Sequence, residues 1–152
     1  MTTNLTTNSL ESQVINNVFH IFPILRNRIL KSREIAQETD IQLPHAQILL
    51  ELSEHDNMSV TQLSRHTGIA MPNITPIIDR LCSLGYVDRH HSSNDRRMVE
   101  ISIKDAGLDC IRRIKAVIAD QTFHQDVYYS EAQLVRLNEA LQTIMRYFPI
   151  ED

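Results

Sequence analysis

The sequence predicts a mainly α-helical protein of about six helices with a small β-hairpin, arranged as a winged helix-turn-helix. Apolar residues recur at helical spacing along most of the 152 residues. Only 3 Gly and no Trp are present, a composition that favours helices over an all-β fold. Two short runs, 86–89 and 98–103, nearly alternate in polarity on either side of a polar loop, as hairpin strands do.

The first predicted helix covers about residues 10–38. Its apolar positions recur at steps of three and four: Leu10, Val14, Val18, Phe22, Leu25 and Ile29. Pro23 lies inside this pattern and predicts a bend near Phe19, because proline lacks the N–H that would reach that carbonyl. The apolar surface is broader than one core face requires, which favours packing against a partner chain. The alternative is a well-buried helix in a monomer.

A helix-turn-helix is predicted next. Pro44 suits the first turn of a helix that runs through Leu52. Ser59 followed by Gln62 is the pattern of a capping box and predicts the start of a short helix. Gly68 then predicts the turn that separates this helix from the following one.

The helix after the turn, residues 72–84, has two distinct faces. The predicted inward stripe is apolar: Ile74, Ile77, Ile78, Leu81 and Leu84. The predicted outward face is mostly polar: Asn73, Thr75, Pro76, Asp79, Arg80 and Ser83. Small hydrogen-bonding side chains on the first exposed turns, followed by Arg80, are typical of a helix that enters the DNA major groove. Gly85 predicts the left-handed residue that ends the helix.

The loop between the two β-prone runs is too long for a two-residue turn and predicts a wing. Its tip holds Asp95, Arg96 and Arg97. We expect Asp95 to hold one of these arginines in a fixed direction through a charge-assisted hydrogen bond. An oriented arginine suits a narrow minor groove, where the negative potential is strongest.

Two helices are predicted after the hairpin, one over about 104–122 and a last one that begins at Ser130 and stops at Pro149. Ser130 with Gln133 repeats the capping-box pattern. The predicted organisation is one compact domain with a helical dimerisation region, 10–38 and 104–150, and a winged helix-turn-helix, 44–103.

The charge of the chain is unevenly distributed. The formal net charge is −4, an unexpected sign for a DNA-binding protein. Residues 59–103, however, hold five arginines against four carboxylates, a net charge of +1, so the rest of the chain carries −5. This asymmetry permits nucleic-acid binding without proving it.

The sequence predicts a cytoplasmic protein without a membrane anchor. No run of about 18 apolar residues is present, and residues 1–9 lack the basic and apolar regions of a signal peptide. Cys82 and Cys110 have no metal-type spacing, and two thiols make a poor disulfide framework.

Two runs of residues resemble the MarR family of bacterial transcriptional regulators. The first is Ser59-Val-Thr-Gln-Leu-Ser-Arg-His-Thr-Gly68 leading into Ile74-Thr-Pro-Ile-Ile-Asp-Arg-Leu81. The second is Leu84-Gly-Tyr-Val-Asp-Arg89, followed by Asn94-Asp-Arg-Arg97 and Val99-Glu-Ile-Ser-Ile103. The resemblance covers about residue 14 to the C-terminus.

The resemblance implies a sequence-specific regulator of transcription, a repressor, that binds double-stranded DNA. It implies an obligate homodimer with intertwined terminal helices, which presents two winged modules to a pseudo-palindromic operator. The implied contacts to bases and phosphates come from the recognition helix: Asn73, Thr75, Pro76 and Arg80. Arg97 would enter the minor groove with Asp95 orienting it, and Thr61 and Gln62 would lie near backbone phosphates.

The resemblance also implies an effector site. Many members of the family respond to small phenolic or otherwise aromatic ligands in a cleft between the dimer helices and the winged module. The candidate lining residues are Phe19, His20, Phe22 and His45. The alternative is that this aromatic stripe at helical spacing is simply part of a core.

Three other functions compete with the interpretation as a ligand-responsive DNA-binding regulator. The Ile-Thr-Pro-Ile run resembles a peroxide-sensing branch of the family, but that branch uses a cysteine in the first helix and none precedes Cys82 here. Redox sensing through Cys82 or Cys110 stays an alternative, although buried cysteine is usually inert. A winged helix used only for protein interaction is the other rival, but Arg96 and Arg97 favour DNA.

Metal binding and catalysis are not predicted. Five histidines are scattered along the sequence: His20, His45, His55, His66 and His124. His90 and His91 are neighbours on a predicted strand, where side chains alternate faces and do not easily share one ion. The sequence has no Gly-rich phosphate loop, no His-Glu-x-x-His and no nucleophile elbow, so we expect neither an enzyme nor a cofactor.

Overall fold

The structure, a computed structural model, describes residues 9–30, 32–93, 95–123 and 128–149. The helices are α1 (Leu10–Ile24), α2 (Ser32–Thr39), α3 (Leu43–Glu54), α4 (Val60–Thr67), α5 (Met71–Ser83), α6 (Asp105–Phe123) and α7 (Glu131–Tyr147). The strands are β1 (Met58–Ser59), β2 (Val87–His91) and β3 (Val99–Ile103). The predicted fold class is confirmed. The polar N-terminus, Asn94 and His124 lie outside the described residues.

The predicted continuous helix 10–38 is divided into α1 and α2. A π-helical segment, Leu25–Ile29, follows α1, and the N–H of Leu30 donates to the carbonyl of Leu25 at 2.8 Å. The irregular winding comes directly after Pro23, later than the bend predicted near Phe19. Proline supplies no N–H to the backbone hydrogen bonds of the helix, so these bonds are free to shift to the wider i→i−5 spacing of a π-helix.

The wing belongs to a three-stranded antiparallel sheet with the strand order β1-β3-β2. The predicted hairpin is confirmed, with Val87 opposite Ile103 and His91 opposite Val99. The short strand β1 was not predicted, and it pairs Met58 with Ile101. Two residues are too few to show a period in the sequence, so only the tertiary pairing reveals β1.

One apolar core lies between the helix-turn-helix, the sheet and the first half of α6. Its fully buried larger side chains come from five helices, β3 and the turn between α2 and α3: Ile35, Ile41, Ile48, Leu49, Leu52, Leu63, Ile74, Ile78, Leu81, Ile101 and Cys110. The core therefore includes residues of α2 and α6 as well as those of the predicted winged region.

Helices α1 and α7 have no buried residue. The capping box of α7 is confirmed, because Ser130 Oγ accepts the N–H of Gln133 at 3.3 Å and Gln133 Oε1 accepts that of Ser130 at 2.8 Å. Within the described part of the chain, α7 packs extensively on no other element. No described helix is long and apolar enough to cross a membrane.

Candidate nucleic-acid interface

Helices α4 and α5 meet at a turn built on a left-handed glycine. The predicted capping box of α4 is confirmed: Ser59 Oγ accepts the N–H of Gln62 at 3.2 Å, and Gln62 Oε1 accepts that of Ser59 at 2.8 Å. Gly68 follows α4 with a φ of 69°, a conformation that other residues rarely adopt. Ser64 Oγ donates to the carbonyl of Ile69 at 2.7 Å and fastens the turn to α4. These hydrogen bonds set the direction of α5 relative to α4.

Helix α5 has the two faces that the sequence predicts. Ile74, Ile78 and Leu81 are buried, and Ile77 is half-buried against the same core. The residues expected to reach DNA are all exposed: Asn73, Thr75, Pro76 and Arg80. Among the described side chains, none caps the first turn of α5. Pro72 has no N–H, and the N–H groups of Asn73 and Ile74 both donate to the carbonyl of Ala70.

The wing tip is held by Asp95, but not as predicted. Its carboxylate Oδ1 accepts the backbone N–H of Arg97 at 2.9 Å, and its carbonyl accepts the N–H of Met98 at 2.9 Å. The expected bond from this carboxylate to a guanidinium is therefore replaced by a bond to the backbone, because the turn brings the amide of Arg97 closer. Arg96 and Arg97 are exposed at the tip. Asp95 thus fixes the backbone from which both arginines extend.

An ion pair joins the recognition helix to the wing. Arg89 Nη2 on β2 lies 2.6 Å from Asp79 Oδ1 on α5. Both side chains are more than a third exposed, so the ion pair adds little to stability and mainly sets the orientation of β2 relative to α5. The sequence did not reveal this contact, because ten residues and the turn at Gly85, with a φ of 72°, separate the partners.

The first turn of α4 presents Thr61 and Gln62 to solvent. The capping box already uses the Oε1 atom of Gln62, so its amide nitrogen is the group left for a phosphate. Pairing with Asp79 offsets the charge of Arg89, which leaves Arg65, Arg80 and the two wing arginines as the positive charges of this surface. The surface is only weakly basic.

The four candidate effector residues do not form a closed site within one described chain. Phe19 and Phe22 on α1 are 74% and 63% exposed, and His20 is also exposed. His45 is half-buried in the first turn of α3. Burial lowers the pKa of His45, the backbone of Gln42 partly opposes this effect, and the nearby Arg80 lowers the pKa further.

The two cysteines lie in different surroundings, and neither is activated. Cys110 is buried in the core and Cys82 is half-buried on α5. Burial raises the pKa of both thiols, which reduces the fraction of reactive thiolate at neutral pH. The nearby Arg89 lowers the pKa of Cys82 in part, but Asp79 and Asp88 oppose that effect.

The histidines are less scattered than the sequence suggested. His55 at the end of α3 and His66 on α4 lie edge to face, with ring centroids 5.5 Å apart. Glu51 lies between them, with its Oε2 atom 3.1 Å from His66 Nδ1. Eleven residues separate the two histidines, and only the packing of α4 against α3 brings them together.

The fold and this interface define a winged helix-turn-helix protein. Residues 41–99 match the profile of the MarR family. Over its winged module, the chain is therefore similar to the MarR family. The match includes the turn at Gly68, all of α5 and the wing arginines.

Similar proteins agree with this assignment. The transcriptional repressor IacR of Pseudomonas putida is 28% identical over 110 residues, which cover 72% of this chain and 66% of that protein. Among the first curated relatives, the matched region spans 41% to 66% of the relative's own length. The crystal structure of RV1404 from Mycobacterium tuberculosis superposes with a TM-score of 0.75 at 20% identity, covering 95% of this chain and 99% of that one.

A second solved structure with a similar fold contains operator DNA. A MarR variant from E. coli, complexed with operator DNA, has a TM-score of 0.66 at 18% identity and covers 91% of this chain and 99% of that chain. At this identity the likeness establishes the fold. IacR, the repressor MprA of Escherichia coli and the solved structure of BldR from Sulfolobus solfataricus are repressors or regulators of transcription by name.

Proposed function

We propose that the chain is a homodimeric regulator of transcription that binds a pseudo-palindromic double-stranded DNA operator in the cytoplasm and acts as a repressor. The observation that carries the proposal is the outward face of α5. Asn73, Thr75, Pro76 and Arg80 are exposed on a helix whose opposite face is buried, beside a wing that ends in two exposed arginines. The relative IacR is a repressor, and the MarR variant binds operator DNA.

The two parts of the interface have different tasks in this proposal. Helix α5 selects the sequence, because its short polar side chains let the helix approach base edges in the major groove. Arg97 on the wing adds affinity and register through the minor groove and its phosphates. Thr61 and Gln62 on α4 contact the backbone of the same half-site.

The exposed apolar surfaces of the terminal helices support the proposed dimerisation. On α1 these are Leu10, Val14, Ile15, Val18, Phe19, Ile21, Phe22 and Ile24, and on α7 Leu134, Val135, Leu141, Ile144 and Met145. A 15-residue and a 17-residue helix without one buried residue are not stable on their own in water. We assign residues 10–38 and 104–150 to a helical dimerisation region and residues 44–103 to DNA binding.

The proposal includes release of DNA by a small aromatic or phenolic effector. Phe19, His20 and Phe22 are exposed on α1, and His45 lies half-buried in α3. In a dimer, the face of α1 that carries the phenylalanines would be covered, and the cleft beside the winged module would acquire aromatic walls. Salicylate titrated into operator complexes of the unmodified protein and of Phe19→Ala tests this part of the proposal. Salicylate should release the operator from the unmodified protein and release less of it from the variant.

The experiment begins with selection of bound fragments from the source organism's genomic DNA. On the selected site, Arg97→Ala should weaken binding to all sequences about equally and reduce the salt slope by about 1, because one phosphate contact is lost. Asn73→Ala and Thr75→Ala should instead change the preferred base at single positions, by about 1–3 kcal/mol each. Electrophoretic mobility shifts at several salt concentrations measure both effects.

Arg136→Ala is the matched control, because it removes the same charge from an exposed position on α7. Its affinity and salt slope should equal those of the unmodified protein. Equal losses on every sequence for Asn73→Ala and Thr75→Ala would show that α5 does not select bases. Failure to select any fragment would overturn the proposal and favour a protein-interaction module.

A further inference from the structure

Outside the proposed DNA interface, one cluster of ligand-type side chains joins α3 to α4. It consists of Glu51 and His55, four residues apart at the end of α3, and His66 in the last turn of α4. One donor atom from each side chain lies within 4.8 Å of the other two. Among the described residues this is the one group of three that could hold a metal ion.

The distances within the cluster are close to those of a metal site. Glu51 Oε2 is 3.1 Å from His66 Nδ1 and 3.9 Å from His55 Nδ1. Two ligand atoms bound to one tetrahedral zinc ion are about 3.3 Å apart, since each bond is about 2.0–2.2 Å long. The rings of His55 and His66 are nearly perpendicular, at 89°. His55 Nδ1 also lies 3.1 Å from the carbonyl oxygen of Glu51, so the exposed His55 ring has to turn away from that carbonyl to bind an ion together with Glu51 and His66.

The chemistry of the three donors selects the class of ion. Two imidazole nitrogens and one carboxylate oxygen suit zinc and the neighbouring transition metals, whereas magnesium and calcium prefer oxygen ligands only. The side chains of His66 and Glu51 are 14% and 21% exposed, and that of His55 is 48% exposed. The site is thus closed on the protein side and open to a water ligand beside His55.

We propose that Glu51, His55 and His66 form a binding site for a divalent transition-metal ion, with zinc as the expected occupant and water as the fourth ligand. The bound ion would tie the end of α3 to α4, the helix that leads through Gly68 into α5. It would replace the hydrogen bond between Glu51 and His66 by two metal bonds. The inference does not depend on the proposed DNA binding, because it rests only on this cluster.

The test uses cobalt(II) alone as a spectroscopic probe, with the full chain and no affinity tag. Cobalt in a four-coordinate site gives strong visible absorption, which hexaaqua cobalt lacks, and zinc should abolish that absorption by displacement. Zinc should also raise the melting temperature in a concentration-dependent way, because it binds the folded state. His66→Gln, His55→Gln and Glu51→Gln should each lower the affinity about a hundredfold or more.

His90→Gln is the matched control. His90 also faces a glutamate, with Nε2 3.7 Å from Glu100 Oε2, but it is not part of a described three-residue cluster. Its cobalt spectrum and zinc-induced stabilisation should equal those of the unmodified protein. Because the side chain of His55 is half-exposed, we expect His55→Gln to fold normally, so this variant decides the test even if Glu51→Gln folds poorly.

Two outcomes would overturn the inference. One is the absence of any cobalt absorption above that of free hexaaqua cobalt, which would leave the cluster as an ion pair only. The other is unchanged metal affinity in both His55→Gln and His66→Gln, with circular dichroism showing intact folds, which would place the bound metal elsewhere.

Discussion

His45 connects the core of the helix-turn-helix to the recognition helix. It lies half-buried in the first turn of α3, and the charge of Arg80 on α5 acts on it. Burial lowers its pKa below the ordinary value of 6.5, so the folded protein holds this imidazole neutral at pH 7. Acid would therefore act on α3, which packs against the recognition helix α5.

The lowered pKa of His45 predicts a loss of stability in acid. In the unfolded chain the imidazole of His45 binds a proton near pH 6.5, whereas in the folded chain it does so only at a lower pH. Because the unfolded state then binds more protons, a fall in pH through this range favours unfolding. We expect the free energy of unfolding to fall less between about pH 7.5 and about pH 5.5 in His45→Gln than in the unmodified protein. Urea titrations at both pH values measure this difference.

His91→Gln is the control for this measurement, because His91 is exposed at the end of β2. Its pH dependence should match that of the unmodified protein. If His45→Gln loses as much stability in acid as the unmodified protein does, His45 is not held neutral by the fold.

The packing of α6 against the sheet depends on a glycine that sequence reasoning did not single out. Gly107 is buried in the first turn of α6, next to the carbonyl of Tyr86 at the start of the hairpin. A Cβ atom at this position would overlap that carbonyl and lie 2.8 Å from Ile103 Cγ1. The close approach of α6 to the sheet therefore requires glycine.

Gly107→Ala separates packing from helix propensity. Alanine in place of glycine inside a helix is normally stabilising by about 1 kcal/mol. Here the overlap with the Tyr86 backbone should dominate, and we expect a net destabilisation of about 1–2 kcal/mol, since overpacking costs about 1–3 kcal/mol. Denaturant unfolding of the variant measures the change.

The neighbouring exposed position provides the reference. Ala106→Gly should destabilise by about 1 kcal/mol through propensity alone, because no packing is involved there. A Gly107→Ala variant more stable than the unmodified protein would mean that α6 does not approach the hairpin this closely.

At the scale of the whole molecule, the proposed dimer would explain how a weakly basic module binds DNA specifically. Residues 59–103 carry a net charge of +1, so a single module is expected to bind DNA weakly. Two modules held in one dimer bind two half-sites together, which raises affinity without further charge. The exposed apolar faces of α1 and α7 supply the surface for that dimer.

Val18→Glu with Met145→Glu should convert the dimer to a monomer. Both side chains are more than half exposed in the single chain, and two carboxylates would be buried at the proposed interface. Sedimentation equilibrium measures the shift in mass, and operator affinity should fall with it. Val18→Glu alone should raise the dissociation constant of the dimer.

Asn17→Glu is the control, since it adds the same charge to α1 beside the apolar face. It should remain dimeric. A double variant that keeps the dimer mass would assign the interface to another surface.

Much of the interface was predictable because local rules determine it. Ser59 with Gln62 forms a capping box from a spacing of three residues, and Gly68 takes the left-handed conformation that its lack of a Cβ permits. The inward and outward faces of α5 follow from a period of 3.6 residues, and the structure confirms that all four predicted recognition residues are exposed. Their contacts with DNA stay predictions.

Other features required the assembled chain. The pairing of Arg89 with Asp79, and the cluster of His55, His66 and Glu51, join residues of different elements, so no spacing in the sequence indicates them. Asp95 was correctly placed at the wing tip, but its partner is the backbone of Arg97, because backbone geometry in the turn decides which donor is nearest.

The sequence by itself determined which residues form the helices of the winged module, where its turns lie and which face of α5 is polar. These follow from periodicity, capping and glycine conformation, all of which act within a few residues. Only the tertiary structure decided the third strand, the division of the first helix after Pro23, the need for Gly107 and the Glu51 cluster. Strand β1, Gly107 and the Glu51 cluster depend on contacts between residues far apart in the sequence. The division of the first helix depends on how its backbone hydrogen bonds rearrange. A periodic pattern along the sequence encodes neither of these.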